Sequence, residues 1–199
     1  MKKINIILYF LLFAVLTVSA QTNWSFDKSH SKIGFTVSHM VITDVDGKFN
    51  EYEGTVVTEG EDFEGAQVNF TIEANSINTD NERRDNHLKS DDFFAADEYP
   101  QITFAGKSMK KVSENKYELV GDLTIRGITK EIKLDVTHNG TVQDPWGNTK
   151  AGFKLAGSLD RFEYGLKWNT AIEAGGLVVG KTVYLNIDIQ LKKEVTTES

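Results

Sequence analysis

The sequence predicts an all-β fold, an antiparallel β-barrel of about eight strands with one short helical insert at residues 79–99. Three observations predict it. Apolar residues recur with period 2 in almost every stretch after Trp24, as in Ile33, Phe35 and Val37 or in Val183, Leu185, Ile187, Ile189 and Leu191. That is the pattern of a strand with one buried face. The joints between these stretches are short and rich in turn residues: Asp44-Val45-Asp46-Gly47, Gly60-Glu61-Asp62, Arg126-Gly127, Asn139-Gly140 and Asp144-Pro145-Trp146-Gly147. Short joints make successive strands antiparallel neighbours. About eight such strands could form a two-sheet sandwich or a closed barrel. The third observation favours the barrel: the apolar faces carry more Phe than a thin two-layer core asks for, and the insert is long enough to cover one mouth.

In chain order, residues 1–20 are set apart from the fold. Lys2 and Lys3 precede an apolar run from Ile4 to Val18, and Val18-Ser19-Ala20 supplies small residues before a cut ahead of Gln21, the pattern of an export signal. The run falls short of the roughly 20 residues that span a bilayer, and no second run exists, so stable membrane insertion is not expected. One domain remains at residues 21–193, with a disordered tail at 194–199. Strands are drawn at residues 33–37, 48–59, 68–72, 102–110, 117–125, 128–138, 149–158 and 183–191, each from its alternating apolar positions.

The insert interrupts this series. Thr79 with Glu82 makes a capping box, Asp80 and Glu82 lie where a helix start favours negative charge, and Lys89 lies where its end favours positive charge. Ser90 then caps a second turn that begins with Asp91 and Asp92 and presents Phe93 and Phe94, before Pro100 ends any helix by Tyr99. A helical hairpin of this kind reads as a lid or plug on the sheet.

Composition excludes several functions. The chain has no cysteine, which removes disulfides, thiolate metal sites and thiol nucleophiles. Its formal charge of −7, more negative once Lys2 and Lys3 are cut away, argues against nucleic acid as a partner. The histidines, His30, His39, His87 and His138, are scattered without metal-ligand spacing, so neither a metal nor another cofactor is expected. Asp44-Val45-Asp46-Gly47 has its glycine too early for a calcium loop, and Asp91 with Asp92 is explained by the helix dipole. His39 continues the face of Phe35 and Val37, either as a hydrogen-bonded core histidine or as a polar group at a cavity end. His87 shares a helix face with Arg83; with Arg84 they could hold an anionic head group or form a solvated face.

At this point the residues resemble a known family. Asp27-x-x-His30-Ser31-x-Ile33-x-Phe35-x-Val37-x-His39-Met40, Gly47-x-Phe49, Arg84-Asp85-x-His87-Leu88-Lys89-Ser90-x-Asp92-Phe93-Phe94, Tyr99-Pro100-x-Ile102-x-Phe104, Gly121 to Lys130 and Val179-Gly180-Lys181-x-Val183 follow one another as in the YceI-like, polyisoprenoid-binding proteins of bacteria. One stretch departs: the family often reads Arg-x-Asp-Phe-Gly where this chain has Arg161-Phe162-Glu163-Tyr164-Gly165.

The resemblance implies an extended, lipocalin-like barrel around an apolar tunnel, a periplasmic or secreted location, and non-catalytic binding, sequestration or transport of a polyisoprenoid or fatty-acyl lipid. The lining it implies is Phe35, Val37, His39, Phe70, Ile72, Phe93, Phe94, Phe104, Ile132, Leu134 and Phe153, with Trp168 near a mouth and Arg83, Arg84 and His87 as head-group candidates. Two other readings stay open. One is a lipid isomerase or hydrolase with His39 or His87 as base. The other is a filled, ligand-free barrel whose outer face meets a partner, a homodimer included.

Overall fold

The computed structural model describes residues 21–60, 62–171 and 177–195; the expected export signal lies outside them, as do residues 196–199 of the expected tail. Strands β1 (Gln21–Phe26), β2 (Lys32–His39), β3 (Thr43–Phe49), β4 (Tyr52–Glu59), β5 (Gln67–Glu73) and β6 (Ile77–Asn78) precede helix α1 (Glu82–Lys89). Five long strands follow: β7 (Gln101–Ser113), β8 (Lys116–Ile125), β9 (Ile128–Gln143), β10 (Thr149–Asp160) and β11 (Val179–Lys193). Every pairing is antiparallel, and the ring β1-β4-β5-β7-β8-β9-β10-β11 closes on itself through β1 and β11. The protein is a closed eight-stranded barrel.

The remaining three strands extend staves of that ring. β1 and β2 lie one after the other along β11, Phe26 opposite Leu191 and Ile33 opposite Ile187. β3 and β4 run back along them, and β5 and β6 return along β4 and β3. Three staves are thus bent in the middle. At the first bend the 3-10 turn Lys28–His30 is held by Asp27, whose Oδ2 accepts from Lys150 Nζ at 2.7 Å and Gln190 Nε2 at 2.9 Å. The Asp27-x-x-His30-Ser31 motif therefore anchors a kink to β10 and β11, and Ser31 Oγ accepts from Gln190 N at 2.9 Å beside it.

Local chemistry moved three expected boundaries. Asp44-Val45-Asp46-Gly47 lies within β3 and is not a turn; the chain reverses at Met40 and Val41, with φ of 52° and 65°, and Ile42 N donates to His39 O. Asn139-Gly140 is also not a turn. Gly140, at φ 128°, lets β9 run on to Gln143 past a bulge opposite Gly152 and Phe153. In the insert Asn81, not Thr79, caps α1, accepting from Arg84 N at 3.0 Å. Asp80 has φ 58°, so the chain turns before the helix and Thr79 donates to Asp85. Arg126-Gly127 turns as expected, with both φ angles positive.

Candidate functional site

Alternating residues of every stave point inward. On β8 these are Tyr117, Leu119, Leu123 and Ile125; on β10, Ala151, Phe153 and Leu155; on β11, Leu185, Ile187, Ile189 and Leu191. They do not fill the barrel. A cavity of about 230 Å³ remains, and its wall is apolar throughout; Arg161, the one charged residue among the described residues that border it, meets it through carbon atoms.

The cavity stays open because of what lies opposite its phenylalanines. Phe35 pairs with Gly47 and Phe70 with Gly54, while Gly121 of β8 lies beneath the ring of Phe104. A Cβ on any of these glycines would come within 2.7 Å of the facing ring, closer than packed atoms allow. Each ring therefore lies down on the backbone of its neighbour, where any other residue would prop it up into the lumen. Tyr52 stacks on Phe70 at 5.5 Å and Phe26 meets it edge-on at 5.1 Å, fixing that ring from the side.

The two ends differ. At the end where β4 passes to β5, Phe63 is buried against Trp24 (5.2 Å), His138 (5.2 Å) and Phe153 (4.7 Å). This aromatic stopper was not expected from sequence; the signal was a single Phe in a loop of Asp62, Glu64 and Gly65. Burial pulls the pKa of His138 below its ordinary value. At the other end lies the insert. Leu88, Phe93 and Phe94 border the cavity, Phe94 meets Phe49 edge-on at 5.9 Å, and Arg126 Nη1 donates to Phe93 O at 2.8 Å. Residues 91–99 form turns in place of a second helix, because Ala95 is left-handed at φ 46°.

Ten of the residues expected in the lining border this cavity: Phe35, Val37, Phe70, Ile72, Phe93, Phe94, Phe104, Ile132, Leu134 and Phe153. Two do not. His39 ends β2 beside Thr43, and Trp168 lies one layer out, packed on His87 (4.9 Å) and Phe93 (5.5 Å). The three head-group candidates do not border it either. Arg83 is exposed; Arg84 donates from Nε to Thr79 Oγ1 and from Nη2 to Thr79 O; His87 Nε2 lies 2.9 Å from Asp92 Oδ2. The cation at the cavity is Arg161, which sequence reasoning placed only in a motif.

Catalytic geometry is a separate question. Ser29, His30 and Asp27 lie together, but Ser29 Oγ and Asp27 Oδ2 both face the same ring nitrogen, Nδ1, at 3.1 Å. A relay needs the two on opposite nitrogens. Among the described residues no three His, Asp or Glu side chains converge as a metal site would require, and no described helix is long and apolar enough to cross a membrane.

A closed antiparallel barrel with an apolar cavity, a stopper at one end and a helical insert at the other defines a lipocalin-like barrel. Residues 24–191 match the YceI-like domain, and the chain belongs to that family. It is 44% identical over 163 residues to a UPF0312 protein of Staphylococcus aureus strain USA300, covering 81% of this chain and 92% of that one. Among solved structures, a YceI protein of Campylobacter jejuni is 32% identical, with a TM-score of 0.68 over 85% of this chain and 96% of the other. BcnA of Burkholderia cenocepacia shares the fold at 20% identity, with a TM-score of 0.72 over 83% and 98% of the two chains. A polyisoprenoid binding domain from Saccharophagus degradans shares it at 16% identity and 0.60, over 86% and 98%.

Proposed function

We propose that the protein binds a polyisoprenoid or related long-chain lipid in the barrel cavity and shields it from water without altering it. The observation that carries this reading is the set of rings laid flat over Gly47, Gly54 and Gly121, which keeps an apolar space open where a barrel of this size could be filled. A site so poor in polar groups can hold a chain but has little to activate it. The fold shared with the Saccharophagus polyisoprenoid binding domain supports the same reading. The amino-terminal residues support export, so the proposed place of action is the periplasm or the cell exterior.

Magnitudes bound the cargo. A cavity of about 150 Å³ takes up benzene, so about 230 Å³ accommodates on the order of nine carbons, close to two isoprene units. Burying a methylene is worth roughly 0.8 kcal/mol, so that length offers about 8 kcal/mol before association costs of several kcal/mol are deducted. Micromolar binding needs about 8 kcal/mol net. A tight ligand is therefore longer than the open space, and it enters from the insert end by displacing Leu88, Phe93 and Phe94, since Phe63 stoppers the other. Titration of prenyl alcohols of rising length, followed by tryptophan fluorescence, tests this. Affinity is expected to rise by about tenfold or more per isoprene unit until the barrel is full, with the alcohol recovered unchanged. Absence of binding at every length would exclude the proposal, and conversion of the alcohol would move the protein to the enzymes.

A further inference from the structure

The wall of the barrel is not laddered along its whole length. Strands β9 and β10 pair from Thr149 opposite Gln143 to Ala156 opposite Asp135, and then they part. Residues 128–134 of β9 go on beside β8 alone, and residues 157–160 of β10 beside β11 alone. Among the described residues no backbone hydrogen bond crosses the gap, which lies at the insert end. A cleft on the outer face follows it, with Lys133, Asp135 and Ser158 in its lining. Ile132 and Leu159 border both that cleft and the cavity, so the wall here is one side chain thick. Residues 161–166 plug the gap. Tyr164 is 1% exposed and borders the cleft, and its hydroxyl has no hydrogen-bond partner among the described residues. The plug is held unequally on its two sides. Toward β11, Arg161 donates from Nε to Gly180 O at 2.8 Å and from Nη2 to Val179 O at 3.2 Å, while its Nη1 donates to Leu166 O within the plug. Toward β9, the ion pair among the described residues is Lys130 Nζ to Glu163 Oε2 at 3.6 Å, exposed and of a kind that contributes little.

We infer that the gap between β9 and β10 is a side gate to the cavity, closed by residues 161–166, and that a long lipid chain passes through it. This rests on the lipid-binding reading and gives the entry at the insert end a shape. Parting two laddered strands breaks backbone hydrogen bonds, which are costly to leave unmade; parting these breaks none. What separates is a packed ring and an exposed ion pair. The unpartnered Tyr164 hydroxyl works in the same direction, because burial disfavours it in the closed gate and opening returns it to water. Opening is also tied to the insert. Arg126 Nη1, in the turn that joins β8 to β9, donates to Phe93 O at 2.8 Å, and the Phe93 ring centre lies 5.9 Å from Arg161 Cζ. A tail that lifts Phe93 therefore pulls on the β8–β9 turn and away from Arg161, and the mouth widens into a slot along the gap. A slot admits a chain along its length, so a bulky head stays in the cleft while the tail enters the cavity.

Cross-linking tests the gate, and the absence of cysteine from the chain leaves introduced thiols as the only ones. The mature chain carrying Lys130→Cys and Glu163→Cys is joined across the gate by a short bis-maleimide with a reducible centre. The control carries Lys154→Cys and Asp188→Cys, an ion pair of the same 3.6 Å length across the laddered strands β10 and β11, joined by the same linker. Both pairs are exposed, so both variants are expected to fold. Uptake of geranylgeraniol is followed by stopped-flow tryptophan fluorescence. Locking the gate is expected to slow uptake about tenfold or more, cutting the linker with dithiothreitol to restore it, and the control to match the wild type. Uptake as fast with the gate locked as with it free overturns the inference while leaving lipid binding intact. Equal slowing by both links also overturns it, since stiffening of the barrel would then account for the effect. No uptake by the wild type overturns both readings.

Discussion

Asp27 carries more of the architecture than its place between two strands suggests. Lys150, Ser29, His30 and Gln190 all donate to its carboxylate, and the Lys150 bond above all holds its pKa well below the usual carboxylate range. The unfolded chain then binds a proton first. The stability that Asp27 contributes is full above its ordinary value of 3.8 and is lost as pH falls below it. Asp27→Asn is expected to cost about 1.5–3 kcal/mol at neutral pH and to flatten the acid limb of a urea-midpoint profile; an unchanged limb would mean that the bend is held otherwise. His138 acts in the same direction higher on the scale. Its burial between Phe63 and Phe153 keeps it neutral, so the unfolded chain takes up the proton first and stability declines as pH falls through 6.5. In His138→Phe that part of the decline is expected to vanish, leaving the Asp27 limb in place.

Two elements show how strand chemistry serves the cavity. The first is the β2–β3 pair, where Gly47 lies under Phe35. Gly47→Ala forces the ring up into the lumen; a cost of about 1–3 kcal/mol is expected, together with a loss of lipid capacity measured as bound prenyl alcohol per chain. Full capacity in a folded Gly47→Ala protein would show that the glycine does not keep the space open. The second is the turn of the same hairpin. Met40 and Val41 both have positive φ, the geometry that Asn-Gly adopts without strain, and Val41 is β-branched and exposed. Replacing Met40-Val41 by Asn-Gly is expected to stabilise the protein by about 1–2 kcal/mol in urea unfolding. This is also why the turn was misplaced from sequence: Asp44-Val45-Asp46-Gly47 has turn composition, yet Gly47 serves a ring across the strand and Asp46 accepts from Thr36 Oγ1 at 2.6 Å. Composition identified the turn-forming residues but could not tell a glycine needed for close approach from one needed for backbone freedom.

At the scale of the molecule, alternation made the eight staves and their antiparallel order legible, because each inward face must be apolar over its whole length. The lining was legible for the same reason, and Phe35, Phe70, Phe104 and Phe153 fall on it by period alone. The stopper and the buried cation were not. Phe63 lies in a loop without period, and Arg161 follows a strand at a position where charge ordinarily faces water; only the return of β11 beside residues 161–166 buries it. On the proposed function, a barrel stoppered at one end and covered at the other is expected to release its cargo slowly enough for a lipid taken up during synthesis to stay through purification. The mature chain, expressed with export in bacteria and purified without detergent, is therefore to be extracted with organic solvent and the extract weighed by mass spectrometry. One isoprenoid or acyl species near one molecule per chain is the expected result. A clean extract, from a protein that also takes up none of the prenyl alcohols, would contradict a lipid-holding cavity.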